Sequence, residues 1–241
     1  MHNDSVVKIP FYPESRGIYE GQIFWLFLLI NFAIYSYRLT EIIKYNRTTI
    51  FTNALSTIIR MWIMIAAMLH QPHNVILLPL QIIVTNEITS LIKQDIAQKN
   101  CIFLYALLGN VFYFYQGNSN SLATIDVAAG YVGIQSYMPV INGSLLIINT
   151  YSATILAYLL LIYHTALQHS DDKREIVTQI SQIYVTWRLL PVTIYTIIIS
   201  IQRHHLFVWS VFSPKLLYEA VHSIIICFIT FIILILVTLQ R

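Results

Sequence analysis

Three polar interruptions in an apolar chain hold most of the side chains with chemistry to offer. The longest, residues 116–133 (QGNSNSLATIDVAAGYVG), follows an aromatic cluster and carries the amides of Gln116, Asn118 and Asn120, with Asp126 as its one charge. Amides and a carboxylate can hydrogen-bond sugars, lipid headgroups or another domain's backbone, although a plain turn uses the same residues. The second interruption, His70-Gln71-Pro72-His73-Asn74, adds two imidazoles and two more amides. The third runs from Arg203-His204-His205 to Lys215. Lys215, Glu219 and His222 recur at i, i+4 and i+7, so one helix face could meet a phosphate or polar headgroup. A lysine that merely snorkels to water is the plainer reading. His70, His73, His204 and His205 invite a metal, yet no carboxylate or cysteine completes a set at ligand spacing, so none is expected in this chain.

Arg60, Glu87 and Arg188 form a different group, because each lies inside an apolar run. A charge within a bilayer costs a few kcal/mol on insertion scales and usually faces a bundle interior. At about 1.5 Å per residue, Arg60 sits roughly 15 Å below His70 and Glu87 roughly 20 Å below Asn74. Antiparallel neighbours would bring these two to one depth, where they could pair, with Arg188 at a similar level. Such charges line an ion or headgroup path, or they fix helix register; the second reading is the simpler.

The elements that must position these residues follow from composition. Apolar residues make up 57% of the 241 and charged residues only 10%, with a mean hydropathy of +0.66. That is too little charge to cover a soluble domain, so lipid must be the solvent for most of the chain. The net charge of +3 is spread without a basic patch, which argues against nucleic acid as a partner. Cys101 and Cys227 have no paired spacing, and neither a disulfide nor a metal site is expected of them. The opening twenty residues lack the pattern of a cleavable signal peptide.

Windows of about 20 residues give about seven apolar spans, near 22–37, 48–70, 74–93, 101–115, 139–164, 176–201 and 214–239. Lipid cannot satisfy open backbone groups and strict alternation is lacking, so the expected fold is all-α, a polytopic transmembrane helical bundle forming one domain over 1–241. The fourth span is short. Pro139 and Pro214 are placed at first turns, while Pro79 and Pro191 fall inside spans and predict kinks.

With the amino terminus on one side (side A), that side carries Lys8, Arg16, Arg203 and Lys215. The opposite side carries Arg38, Lys44, Arg47, Lys93, Lys99, Lys173, Arg174 and Arg241. The two-to-one bias puts the second side in the cytoplasm. All three polar interruptions then share the lumenal or external face, while the sequon at Asn46 faces the cytoplasm. No phosphate-cradling glycine loop or nucleophile elbow is present, and no gap is long enough for a soluble catalytic domain.

Two stretches, FYQGNSNSLATIDVAAGYVG (114–133) and RHHLFVWSVFSPKLLYE (203–219), closely resemble the carboxy-terminal membrane region of the GPI ethanolamine phosphate transferases. The first points to the type that modifies the second mannose of the GPI core; HQPHNVILLP (70–79) is weaker support. The resemblance covers the chain from about Trp62 onward. It implies a multi-pass protein of the endoplasmic reticulum membrane, in an enzyme that moves phosphoethanolamine from phosphatidylethanolamine to a mannose hydroxyl on the lumenal face. It also implies a metal-dependent lumenal domain holding zinc and a threonine nucleophile. No residue here matches that domain, so no catalytic residue carries over, no cofactor is expected in this chain, and the chain reads as a fragment or a separate membrane subunit.

The leading expectation is a module that positions the GPI intermediate, and with it the donor phosphatidylethanolamine, beneath a catalytic domain. The candidate binding residues are Gln116, Asn118, Asn120, Asp126, His73, Asn74, Arg203, Lys215 and Glu219. Membrane lipids are the expected partners, with a small membrane subunit as a further candidate. Alternatives are a scaffold without substrate contact, or a transporter using Arg60, Glu87 and Arg188, against which the missing inverted repeat counts.

Overall fold

The computed structural model describes residues 16–45, 50–92, 99–134, 136–169 and 173–238. Lys8, Arg47, Lys93, Arg241 and the sequon at Asn46 lie outside them. The described residues are helical, with no strand among them. They form α1 (Arg16–Tyr45), α2 (Ile50–Leu69), the single turn α3 (Pro72–Val75), α4 (Leu77–Ile92), α5 (Lys99–Tyr115), α6 (Pro139–Gln168), α7 (Lys173–Ile201) and α8 (Leu206–Thr238). Two short 3-10 turns, Leu122–Thr124 and Val127–Tyr131, lie between α5 and α6.

Among the described residues, five stretches are long and apolar enough to cross a bilayer: Ile50–Leu69, Pro72–Leu91, Pro139–Gln168, Lys173–Ile201 and Trp209–Thr238. The first and fourth expected spans are also helical, within α1 and α5, so about seven is an approximate count. At 17 residues α5 is short for the roughly 20 that a spanning helix needs.

The bundle is built around α6. Of its most apolar window 72% is buried, against 11% for α7, which leaves most of α7 on the outside. Helices α2, α4, α5 and α7 all pack on α6. Close approach to α5 needs Gly109, where a Cβ would stand 2.9 Å from Ala157 Cβ and 3.3 Å from Thr154 Cα. Small residues are what let helices meet closely where lipid supplies no hydrophobic drive. Polar side chains add hydrogen bonds across the packing. Gln81 Nε2 donates to the Ala153 carbonyl at 2.7 Å, and Tyr158 OH reaches Ser181 Oγ on α7 and Thr230 Oγ1 on α8.

The prolines divide. Pro139 opens α6 at its first turn as expected. Pro79 has no N–H for the Val75 carbonyl and crowds it, and the helix is interrupted at Ile76, between α3 and α4. Pro214 does not begin a helix. Residues 206–213 already continue helically ahead of it, so it lies inside α8, as Pro191 lies inside α7. Neither Cys101 nor Cys227 forms a disulfide.

Candidate functional site

The connection from α5 to α6 folds back over the bundle end instead of looping away. Gly117 and Gly133 adopt positive φ, +88° and +76°, and so does Asn120 at +54°. These are conformations that glycine takes without penalty and asparagine takes more readily than most residues. Asp126 caps the second 3-10 turn by accepting from the Ala128 N–H at 3.1 Å. The buried Asn142 ties the loop to α6, since its Nδ2 donates to the Gly130 carbonyl and its Oδ1 accepts from the Met138 N–H, both at 2.7 Å.

This loop and the α2–α4 connection close around a polar cavity of about 250 Å³. His70, Gln71, His73 and Asn74 line one wall. Gln116, Gly117, Asn118, Thr124 and Asp126 line the facing wall, and Asn149 of α6 reaches in between. The walls are stitched together by Asn74 Nδ2 donating to the Gln116 carbonyl at 3.0 Å and by Gln71 Nε2 donating to Asp126 Oδ2 at 3.3 Å. Asn118 Nδ2 holds the loop down through the Tyr113 and Thr150 carbonyls.

A buried relay runs behind the cavity. The Ser152 hydroxyl donates toward Gln116 Oε1 (3.1 Å) and the Asn149 carbonyl (3.2 Å). Its oxygen also lies 2.8 Å from His70 Nε2, within hydrogen-bond distance. Burial holds the His70 imidazole below its usual pKa, while the Asn149 side chain and the Asp126 carboxylate pull the other way. With Oε1 engaged, Gln116 Nε2 is left buried with no hydrogen-bond partner, and the residue is only 8% exposed. A buried amide donor without a partner costs roughly 1–3 kcal/mol.

An apolar cavity of about 150 Å³ adjoins this one, lined by Ile125, Leu146, Ile147, Thr150, Tyr151, Leu217, Tyr218 and Val221. Their linings are neighbours in sequence at two places, Thr124 beside Ile125 in the loop and Asn149 beside Thr150 in α6. Tyr218 OH fixes this border by donating to the Ser121 carbonyl at 2.9 Å. A polar chamber beside an apolar slot at a bundle end can take a headgroup with the start of its hydrocarbon.

Five of the expected binding residues thus share one cavity: Gln116, Asn118, Asp126, His73 and Asn74. The others stand elsewhere. Asn120 accepts from Tyr113 OH at 2.7 Å, which fixes the loop. Arg203 is exposed, its carbonyl taking the Trp209 indole N–H, and Lys215 Nζ lies 5.5 Å from the centre of the Phe212 ring. Glu219 turns to Arg188, so the i, i+4, i+7 face of α8 does not act as one patch; His222 is buried beside Tyr151, ring centres 4.9 Å apart.

Arg60 and Glu87 do not pair. Both are exposed, because α2 and α4 each pack on α6 and direct these two residues away from it. Among the described residues no group of three or more His, Cys, Asp or Glu could hold a metal ion. The reading of the sequence passed over Asn149, Ser152 and Thr124 as cavity or relay residues. For Asn149 and Ser152 the available signal was the polar run Asn149-Thr150-Tyr151-Ser152 inside an otherwise apolar span.

A helical membrane bundle with a polar chamber at one end is the class that fold and cavity define. The chain belongs to the family described as the GPI ethanolamine phosphate transferase membrane region, whose profile matches residues 21–240. It is 30% identical over 228 residues to GPI ethanolamine phosphate transferase 2, catalytic subunit, of Homo sapiens, covering 91% of this chain and 23% of the human protein. It is 36% identical over 119 residues to GPI ethanolamine phosphate transferase 2 of Schizosaccharomyces pombe, covering 48% of this chain and 14% of that one. The relative of the same name in Candida glabrata is 27% identical over 218 residues, 83% of this chain and 24% of its own length. The chain therefore spans less than a quarter of these relatives. No solved structure matches it.

Proposed function

We propose that this chain is the membrane module that seats the GPI lipid intermediate during transfer of phosphoethanolamine from phosphatidylethanolamine to its second mannose, in the endoplasmic reticulum membrane. The observation that carries the proposal is the polar cavity opening beside the apolar slot, with the Gln116 amide unpartnered in its wall. Holding a hydroxyl in near-attack geometry removes translational and rotational freedom from the reaction, an effect worth several kcal/mol. The transfer chemistry, with the zinc implied by the family resemblance, would reside in parts of the transferase outside these residues.

The test is Gln116→Met in the complete transferase carrying this membrane region, with second-mannose modification of GPI read by mass spectrometry. The expected result is reduced modification at unchanged protein abundance. Full modification at normal abundance would sink the proposal. Asn120→Ala is the wrong probe, since it removes the acceptor of the Tyr113 hydroxyl and reports on folding of the loop.

A further inference from the structure

Two arginines stand deep in spanning helices, and their surroundings differ. The Arg188 side chain on α7 is only 12% exposed and has Glu219 and Asn110 as partners. Arg60 is the one exposed residue of α2, and its neighbours Ile59 and Met61 are buried. Among the described residues Arg60 has no hydrogen-bond or ion-pair partner.

Depth makes this arrangement costly. Arg60 lies near the middle of the spanning stretch Ile50–Leu69, so either end is roughly 15 Å away, about half the hydrocarbon thickness. An arginine near a helix end snorkels to the interface, but one at this depth is left among lipid tails that accept no hydrogen bond. Glu87 differs, because it lies within about a turn of the end of its own spanning stretch, Pro72–Leu91. Asn53 and Ser56 share a face with Arg60 at i, i+3 and i+7. Both are partly exposed, and their side chains make no hydrogen bond among the described residues. Amides and hydroxyls of this kind bond across contacts between transmembrane helices.

We propose that the α2 face bearing Asn53, Ser56 and Arg60 is covered by a further transmembrane helix of the complete transferase. That helix brings an aspartate or glutamate to the depth of Arg60, since a carboxylate offers the guanidinium fork two acceptors. Chain to supply it exists, because these residues span only 23% of the human relative. The inference rests on this chain being one part of a longer transferase, and not on what its cavity binds.

Two measurements on the complete transferase in nanodiscs test it. Thermal unfolding of Arg60→Leu is expected to fall by about 5 °C or more, because the facing carboxylate is left buried and unpaired. An unchanged or raised unfolding temperature means that Arg60 meets lipid or water, and overturns the proposal. The second measurement places p-benzoylphenylalanine at Ser56 and identifies the photocrosslinked peptide by mass spectrometry. The expected product is an apolar segment of the same transferase with an Asp or Glu within one turn of the crosslink. Exchanging that carboxylate for arginine should then restore the stability lost in Arg60→Glu. A crosslink to lipid alone, to a different protein, or to a segment without a carboxylate overturns the proposal, and so does a failed exchange. Where Arg60→Leu does not fold, the crosslink decides. The Gln116→Met measurement of second-mannose modification tests lipid seating separately, so either reading can fail without the other.

Discussion

Arg188 of α7 and Glu219 of α8 form an ion pair, Nη2 to Oε2, at 2.5 Å within the spanning part of the bundle. Arg188 Nη1 also reaches Asn110 Oδ1 on α5 at 3.2 Å, and Ser223 Oγ donates to the Glu219 carbonyl one turn on. Three helices are thereby held in register by one cluster. Removing a single partner leaves the other charge desolvated, which typically costs about 3–5 kcal/mol, whereas replacing both with apolar residues of similar volume is close to neutral. Arg188→Met should therefore lower thermal stability sharply in detergent. The double variant with Glu219→Met should recover most of it. A double variant as unstable as the single would mean that the pair does more than fix register.

The α5–α6 contact gives a second test. A side chain at Gly109 meets Ala157 and the Thr154 backbone at once, and overpacking of a close contact costs about 1–3 kcal/mol. Gly109→Val should lower the unfolding temperature and the abundance of the protein. Tolerance of valine would show that α5 can move away from α6 at little cost.

His70 gives a pH dependence with a defined sign. Its folded-state pKa is lowered, chiefly by burial, so the unfolded chain takes up a proton first as pH falls. The stability contributed by the neutral ring is complete above the ordinary value of 6.5 and declines as pH drops toward the lowered folded value. His73 and Asp126 line the same cavity, so the diagnostic is a difference between variants. Thermal unfolding at pH 7.5 and 5.5 should show a smaller acid loss for His70→Gln than for wild type. Equal losses would remove His70 from the account.

Loop closure over the cavity depends on Asn142, whose two hydrogen bonds are both to backbone groups. Asn142→Leu should strand the Gly130 carbonyl and the Met138 N–H, at about 1–3 kcal/mol each where they stay buried. Limited proteolysis should then cut within residues 127–138 faster than in wild type. An unchanged cleavage pattern would mean that the loop is held by its other contacts.

Much of this architecture was legible in the residues themselves. Apolar run lengths marked the helices, and lysine and arginine bias gathered the loops onto one face. Two of those loops do meet, through Asn74 and Gln116 and through Gln71 and Asp126. The pairing of charges was not legible, because depth along a helix says nothing of azimuth. Arg60 and Glu87, expected at one depth, are both exposed, while Glu219, read as part of one face with Lys215, turns to Arg188. The cavity's third wall was hidden for a related reason. Asn149 and Ser152 lie in a strongly apolar span, where an isolated amide or hydroxyl is ordinarily satisfied by its own helix.

At Gly21 of α1 a Cβ would stand 2.7 Å from the Gly133 backbone, and Trp25 Nε1 donates to the Val132 carbonyl at 3.0 Å. The first helix is thus latched to the far end of the loop that forms the cavity wall. The loop is fastened twice, to α1 at residues 132–133 and to α6 through Gly130 and Asn142. A helix that contributes no side chain to the chamber therefore helps to hold its wall in place.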